Sequence, residues 1–381
     1  MNEKKQNACI YGFEPGLRNS LKEILYFAGF TNPYDVEDVS GLSRIFKTDI
    51  PDIVVISLQA LDELDFHIMI GSNPQFDRMV IITGVDDVES PNLRHAIETC
   101  AMDFFLISKP YHLKRQAMAV MALNPWEEIP AMGGKIFLAD PNLERRIAVA
   151  RSLRIARFDV DFAVETSEIE EKVRGEHPYR VVICSEALGE ENLVTIIKKI
   201  SCDVEARQVP WIVYGEGKIS LFKPQSGKIQ EEARHTSTEF SPETIVFHVQ
   251  NLLSPHIKEM RKSERIPYFT PVKVILERLN EEMWGFSSDL SENGLYIRTL
   301  VPPPPETMVT ISFKPPTAEG MVKMGARVAW RKEYGSKGSP SKHPGFGVEF
   351  VRISEPDKAA VQAGYNILAQ TLKKCSISND W

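Results

Sequence analysis

The chain opens with short apolar runs separated by one-sided helical stretches. Ala8-Cys9-Ile10-Tyr11 is the first run, and Leu17, Leu21, Ile24, Leu25 and Ala28 then share one face at helical spacing. Asp52-Ile53-Val54-Val55-Ile56 and Met79-Val80-Ile81-Ile82 are continuous β-branched runs, the pattern of parallel strands covered on both sides. Asp103-Phe104-Phe105-Leu106-Ile107 closes the series ahead of a last helix. Five β/α units of this size predict a doubly wound parallel sheet over residues 1–125, with any ligand at the carboxyl ends of its strands.

Residues 134–254 repeat the plan, as an internal duplication does. Lys135-Ile136-Phe137-Leu138-Ala139 stands where strand one stood. Tyr179-Arg180-Val181-Val182-Ile183-Cys184-Ser185 and Val209-Pro210-Trp211-Ile212-Val213-Tyr214 stand for strands three and four. Pro125, Pro130, Gly133 and Gly134 mark a short linker that lets each copy pack on its own. The second copy is less regular. Residues 215–235 are polar and contain Gly215, Gly217 and Gly227, which predicts a mobile surface loop in place of the fourth helix. No G-x-x-x-x-G-K-S/T occurs there, so it is not a phosphate loop.

Past Ser254 the pattern changes to alternation. The helix of the second copy runs toward Arg265, and strands follow, with Val272, Val274 and Leu276 on one face and Lys273, Ile275 and Glu277 on the other. Val301-Pro302-Pro303-Pro304-Pro305 lies between strand patterns and predicts a stiff inter-strand loop; residues 334–343, rich in Gly, Ser and Lys, predict a hairpin loop. Residues 359–372 suit a C-terminal helix with Val361, Tyr365, Leu368 and Leu372 on one side, and residues 376–381 a frayed tail.

Composition narrows the class. A chain of 381 residues with 43% hydrophobic and 25% charged residues is ordinary globular material of two or three domains. No apolar run approaches the roughly 18 residues of a membrane span, and residues 1–6 lack a signal-peptide core, so a cytoplasmic protein is expected. Cysteines 9, 100, 184, 202 and 375 form no C-x-x-C and read as reduced thiols. The net charge of −7 is uneven, −11 over residues 1–255 and +4 over 256–381. An acidic front half argues against nucleic acid or an anionic membrane as partner, whereas the back half suits an anionic ligand. Histidines 67, 95, 112, 177, 235, 248, 256 and 343 show no metal spacing and no nucleophile elbow is present, so no catalytic residue, metal or cofactor is expected and the chain does not read as an enzyme.

The chemistry is concentrated in residues 261–294. Arg261-Lys262-Ser263-Glu264-Arg265 places two guanidiniums four residues apart, and Asp289-Leu290-Ser291-Glu292-Asn293-Gly294 follows a hairpin length later. Guanidiniums grip phosphate oxygens with a planar fork of donors and stack on bases. A carboxylate accepts from paired N–H donors such as guanine's, a hydroxyl does either, and glycine lets backbone and ligand approach closely. R-x-x-x-R alone also describes a solvated helix face, and D-x-S-x-x-G alone an Asx turn; their order within a strand-rich region carries the reading. The pair resembles the two motifs of the PilZ domain, a bacterial receptor for cyclic di-GMP. Gly294-Leu295-Tyr296-Ile297, Gly325-Ala326-Arg327-Val328-Ala329-Trp330 and Gly345-Phe346-Gly347-Val348-Glu349-Phe350 are similar to its later barrel strands. The resemblance implies an antiparallel β-barrel with a C-terminal helix over residues 256–375. It also implies cyclic di-GMP as ligand, bound by Arg261, Arg265, Asp289, Ser291 and Gly294.

The two α/β regions resemble response-regulator receivers, with a flavodoxin-like fold, through Pro15-Gly16-Leu17, Pro51-Asp52 and Lys109-Pro110. That family holds Mg²⁺ on an acidic pair after strand one and phosphorylates an aspartate after strand three. Gly12 and Phe13 occupy the acidic-pair positions here and Ser57 the acceptor position; Thr83 and Lys109 match the remaining switch residues, and Glu14 alone cannot build the cation site. The resemblance also implies a cis bond at Lys109-Pro110. In the second copy Asp140 survives, Ser185 stands at the acceptor position, Gly215 replaces threonine and Thr238 falls at the lysine position. Lys223-Pro224 comes too soon after Gly215 to be the family's pair. Both copies therefore read as pseudo-receivers, with Ser57 and Ser185 unphosphorylated.

The expected protein is a non-enzymatic cyclic di-GMP effector. Ligand capture beside the junction at Arg261 and Arg265 would change the inter-domain arrangement, and the receiver-like domains would engage a protein partner, a homodimer being among the assemblies open to the chain. The alternatives are a phosphorelay regulator with a PilZ output domain and an adaptor that has lost its ligand.

Overall fold

The computed structural model describes residues 6–61, 69–71, 73–122, 134–175, 179–201, 209–215, 217–225, 228–235, 241–253, 264–335 and 343–373. The chain divides into two compact units, Met1–Ile129 with Ser263–Tyr365 and Pro130–Lys262 with Asn366–Trp381.

The first unit begins with an α/β layer. Strands β1 (Asn7–Tyr11), β2 (Asn32–Val36), β3 (Ile53–Ser57), β4 (Val80–Val85) and β5 (Asp103–Leu106) run parallel in the order β2-β1-β3-β4-β5. Strands β1, β3 and β4 are buried at every position, because both faces are covered and β-branched side chains fill each side of the pleat. Helix α1 (Pro15–Ala28) starts on a proline, whose missing N–H would be unpaired there in any case. It stops at Gly29, whose left-handed φ of 107° lets the Gly29 and Phe30 N–H groups return to the Tyr26 and Leu25 carbonyls. Helices α2 (Val39–Thr48), α3 (Pro91–Thr99) and α4 (Tyr111–Met121) complete the layer. The doubly wound pattern expected over this region is present.

The Lys109–Pro110 peptide departs from expectation. It is trans, and no cis peptide occurs among the described residues. Trans is the default for X–Pro bonds, and the corner is held here by a different partner: the Lys109 ammonium lies 2.8 Å from the Glu282 carboxylate.

The same unit contains a closed antiparallel barrel. Its strands are β12 (Ile266–Pro267), β13 (Pro271–Leu276), β14 (Glu281–Ser291), β15 (Gly294–Arg298), β16 (Met308–Phe313), β17 (Val322–Lys332) and β18 (Gly345–Arg352). Six long strands follow the order β14-β13-β16-β17-β18-β15, and β15 closes the ring on β14; short β12 pairs with the far half of β14. Val272, Val274 and Leu276 point into the core with Val309, Ile311 and Phe313, as the period-two alternation requires. The proline run joins β15 to β16. Helix α9 (Glu355–Lys373) follows the barrel, with Val361 and Tyr365 buried and the Tyr365 hydroxyl donating to the Glu264 carbonyl at 3.1 Å. Barrel and α/β layer share apolar cores: Phe286 packs in the cluster that contains Phe104 and Ile56, and Leu300 in the one that contains Phe105 and Val55.

In the second unit β6 (Lys135–Ala139), β7 (Asp159–Ala163), β8 (Tyr179–Ser185) and β9 (Trp211–Gly215) lie parallel in the order β7-β6-β8-β9. Helices α5 (Leu143–Ile155), α6 (Thr166–Arg174), α7 (Glu190–Ser201) and α8 (Pro242–Leu253) accompany them. The sheet does not continue as a loop and a parallel strand. Residues expected to form a mobile loop make an antiparallel hairpin, β10 (Lys218–Gln225) and β11 (Lys228–His235), with β10 paired to β9. Gly217, at φ 71°, makes the turn from β9 into β10. The signal was Ile219 and Leu221 alternating with Ser220 and Phe222. The first two enter the core beside Tyr214 and Ile245, and Phe222 enters the opposite one beside Trp211.

Cys9, Cys100 and Cys184 are buried and in no disulfide. The linker residues 123–133, Thr238, Arg261, Cys202, Cys375 and the tail from residue 374 lie outside the described residues. Among the described residues no helix is long and apolar enough to cross a membrane.

Candidate functional site

The motif residues meet at the tip of the β14–β15 hairpin. Ser291 and Gly294 are the closing pair of that hairpin, and the Ser291 hydroxyl donates to the Gly294 carbonyl at 3.1 Å, so the hydroxyl fastens the two-residue turn Glu292–Asn293. Asp289 sits two residues earlier, beyond a bulge between Ser287 and Asp289, opposite Tyr296. The bulge re-aims the end of β14. Arg265 enters from the segment before β12, whose Pro267 pairs with Asp289. Its guanidinium lies 3.6 Å from the Asp289 carboxylate, with the arginine side chain 25% and the aspartate side chain 8% exposed. At that separation the two are attracted across more than a hydrogen-bond length.

Gly294 is required for closeness rather than for a left-handed backbone. It is absent from the positive-φ glycines, and a Cβ there would come within 2.3 Å of the Val348 carbonyl on β18. Gly347, on the same strand, plays a similar part: a Cβ would fall 2.4 Å from Trp330 Nε1. That leaves the Trp330 ring flat against Tyr296, with centroids 5.0 Å apart and planes at 18°. The Tyr296 hydroxyl donates to the His343 carbonyl at 2.6 Å. Burial and then the neighbouring Asp289 charge push its phenol up, against the pull of Arg298 and Arg265.

The structure thus brings Arg265, Asp289, Ser291 and Gly294 together, and Arg261 lies outside the described residues. Sequence reading treated Tyr296 and Trp330 as strand positions only. Their place beside the motif depends on β15 and β17 flanking β18, and alternation alone gives no such neighbourhood.

Ser57 and Ser185, the serines expected at acceptor positions, sit in two different surroundings. In the first domain the Ser57 hydroxyl, at the end of β3 and 7% exposed, accepts the Ala60 N–H at 3.2 Å. Gly12, at φ 81°, is pressed so close that a Cβ would lie 2.6 Å from that hydroxyl. Phe13 lies against Gly84 and Phe105, its ring centroid 6.3 Å from that of Phe105. Neither the glycine backbone nor the phenyl ring offers a side-chain oxygen to a cation.

In the second domain Asp140 is fully buried and its two oxygens accept from Arg145 Nε and Nη2 at 2.9 Å each. Tyr214 also donates to it. Arg145 Nη2 donates on to the Ser185 hydroxyl at 3.0 Å, and Ser185 accepts the Ala187 N–H as well. Hydrogen bonding to Asp140 raises the Arg145 guanidinium further, and burial followed by the Asp140 charge raises the Tyr214 phenol. Asp140, Arg145, Tyr214 and Ser185 form one closed network. No group of three or more His, Cys, Asp and Glu able to hold a metal occurs among the described residues.

The closed antiparallel barrel thus gathers an arginine, a carboxylate and a hydroxyl at one hairpin tip. Residues 259–365 match the PilZ domain family, so the barrel is a PilZ domain. No curated protein matches the chain. Among solved structures the chain is similar to the Bacillus subtilis inhibitor of motility (MotI/DgrA), at 13% identity over 40% of this chain and 73% of that one, with a TM-score of 0.24. It is also similar to the PilZ domain of YcgR with c-di-GMP from Escherichia coli, at 16% identity over 29% of this chain and 92% of that one, TM-score 0.24. The K. pneumonia MrkH–c-di-GMP complex is similar at 12% identity over 40% of this chain and 69% of that one, TM-score 0.23.

Proposed function

We propose that this protein is a non-enzymatic effector for cyclic di-GMP, which binds at the tip of the β14–β15 hairpin and changes how the receiver-like domains engage a protein partner. The observation that carries the reading is the Arg265–Asp289 pair, a guanidinium and a carboxylate 3.6 Å apart beside the Ser291–Gly294 turn. Arg265, with Arg261 from the preceding segment, supplies forked donors to the phosphates and a plane on which guanine stacks. Asp289 accepts from the two N–H groups on guanine's pairing edge, and Ser291 completes the edge contacts. Adenine lacks that pair of donors, so cyclic di-AMP leaves the carboxylate unmatched. Gly294 holds β15 against β18 so that the tip stays in place.

Calorimetric titration with cyclic di-GMP, run against cyclic di-AMP, tests this. Charge-assisted hydrogen bonds are worth about 1.5–3 kcal/mol each, so Arg265→Ala and Asp289→Ala should each weaken binding by about ten- to a hundredfold. Arg261→Lys should bind poorly as well, since an ammonium reproduces neither the fork nor the stacking plane. Binding of wild-type strength by both alanine variants would make the motif structural and leave an adaptor.

A further inference from the structure

Strand β14 does two jobs at opposite ends. Its distal end carries Asp289 and Ser291. Its proximal end faces the first α/β domain: Glu281 pairs with Arg115, Glu282 accepts from Lys109 at 2.8 Å, and Phe286 enters that domain's core. The strand after the hairpin behaves in the same way. Beyond β15, the Thr299 hydroxyl and the Leu300 N–H both donate to the buried Asp103 carboxylate, at 3.1 and 2.8 Å, and Leu300 packs in the apolar cluster of α1 and α4. Arg94, on α3, lies 5.9 Å over the Phe269 ring, ahead of β13. Both stems of the hairpin that holds the motif are therefore anchored in the α/β domain.

We infer that the first α/β domain is the barrel's resident docking partner, and that closure of this dock and occupancy of the hairpin tip favour each other. The inference rests on the nucleotide reading above. Direct electrostatics cannot carry the coupling. Glu282 and Asp289 are seven residues apart on one strand, about 23 Å at 3.3 Å per residue, well beyond a Debye length of about 8 Å. What remains is order. A hairpin fixed at both stems has fewer arrangements to lose when its tip closes on a ligand, so docking lowers the entropic cost of binding. The reverse follows by linkage. The bulge at Ser287–Asp289 lies between the two ends and is where a loosened stem would let the tip swing.

The test uses the full chain and cyclic di-GMP. K109E/R115E reverses the α/β side of the dock and leaves every residue of the barrel unchanged. It should weaken binding about fivefold or more and speed amide hydrogen exchange at residues 299–301. Adding E281K restores opposite charges across the Arg115 pair, while Glu282 is kept for its bond to Lys273, and should recover part of both readouts. Equal affinity of wild type and K109E/R115E, with exchange at 299–301 accelerated, overturns the coupling and leaves the nucleotide reading intact. Unchanged exchange at 299–301 overturns the dock itself. Failure of the wild type to bind overturns the nucleotide reading and the coupling with it.

Discussion

Single residues in this protein carry opposed electrostatic loads. Burial pushes the Asp103 carboxyl up to about 6, against the N–H and O–H donors of Leu300, Phe104 and Thr299. Its folded value lies above its unfolded one, so the folded state holds the proton more firmly between about pH 4 and 6. Stability from this group is present at the acid end of that window and is lost as pH rises through it, by at most about 3 kcal/mol. Glu282 runs the other way. Burial raises it, but hydrogen bonds from Lys109 and Lys273 outweigh that and bring it to about 2. Its contribution is present above about pH 4.5 and is lost as pH falls toward 2. Urea denaturation between pH 2 and 7 should show Asp103→Asn flattening the limb from pH 4 to 6 and Glu282→Gln flattening the limb below it. An unchanged profile in Asp103→Asn would remove the buried carboxylate as its cause. Gly294→Ala puts a methyl group against the Val348 carbonyl. It should cost about 1–3 kcal/mol in melting experiments, as overpacking does, before any effect on ligand. Arg265→Ala should leave the melting temperature near that of wild type.

At the scale of elements, the α/β strands and the barrel's alternating strands were legible because their periods differ and neither is interrupted. Two features were not. The β10–β11 hairpin hid behind the glycines and charges around it, and only the four-residue alternation at 219–222 marked it. At the Lys109–Pro110 corner the peptide takes the default trans form, and Lys109 meets a partner 173 residues away, which no local pattern contains. The site divides along the same line. The motif residues announced themselves by spacing, whereas Tyr296 and Trp330 required the order β17-β18-β15. Arg145 was likewise missed, because a helix-borne arginine reads as solvent-facing until its carboxylate is known to be buried. Its removal tests that role. Arg145→Ala leaves the Asp140 charge buried with only the neutral donors of Tyr214 and the Asn142 N–H and should cost about 3 kcal/mol or more, while Arg145→Ala with Asp140→Asn should recover much of it. Equal melting of the two variants would show that the network is not charge-driven.

At the scale of the whole molecule, the first unit is assembled from two separated stretches, Met1–Ile129 and Ser263–Tyr365. The fragment 1–129 should therefore melt lower than the first unit does in the intact chain and bind an apolar dye, because Phe286 and Leu300 no longer cover the faces around Phe104 and Phe105. A fragment as stable as the unit in the whole chain would mean that the barrel adds nothing to that core. The split also sets a timetable. On the ribosome the α/β layer emerges first, then the whole second domain, and only then the barrel strands that complete the first core. At about 5–20 residues per second, the newborn layer waits roughly ten to fifty seconds with one flank open. During that interval it is a natural client for a chaperone, and the inserted domain sets the length of the wait.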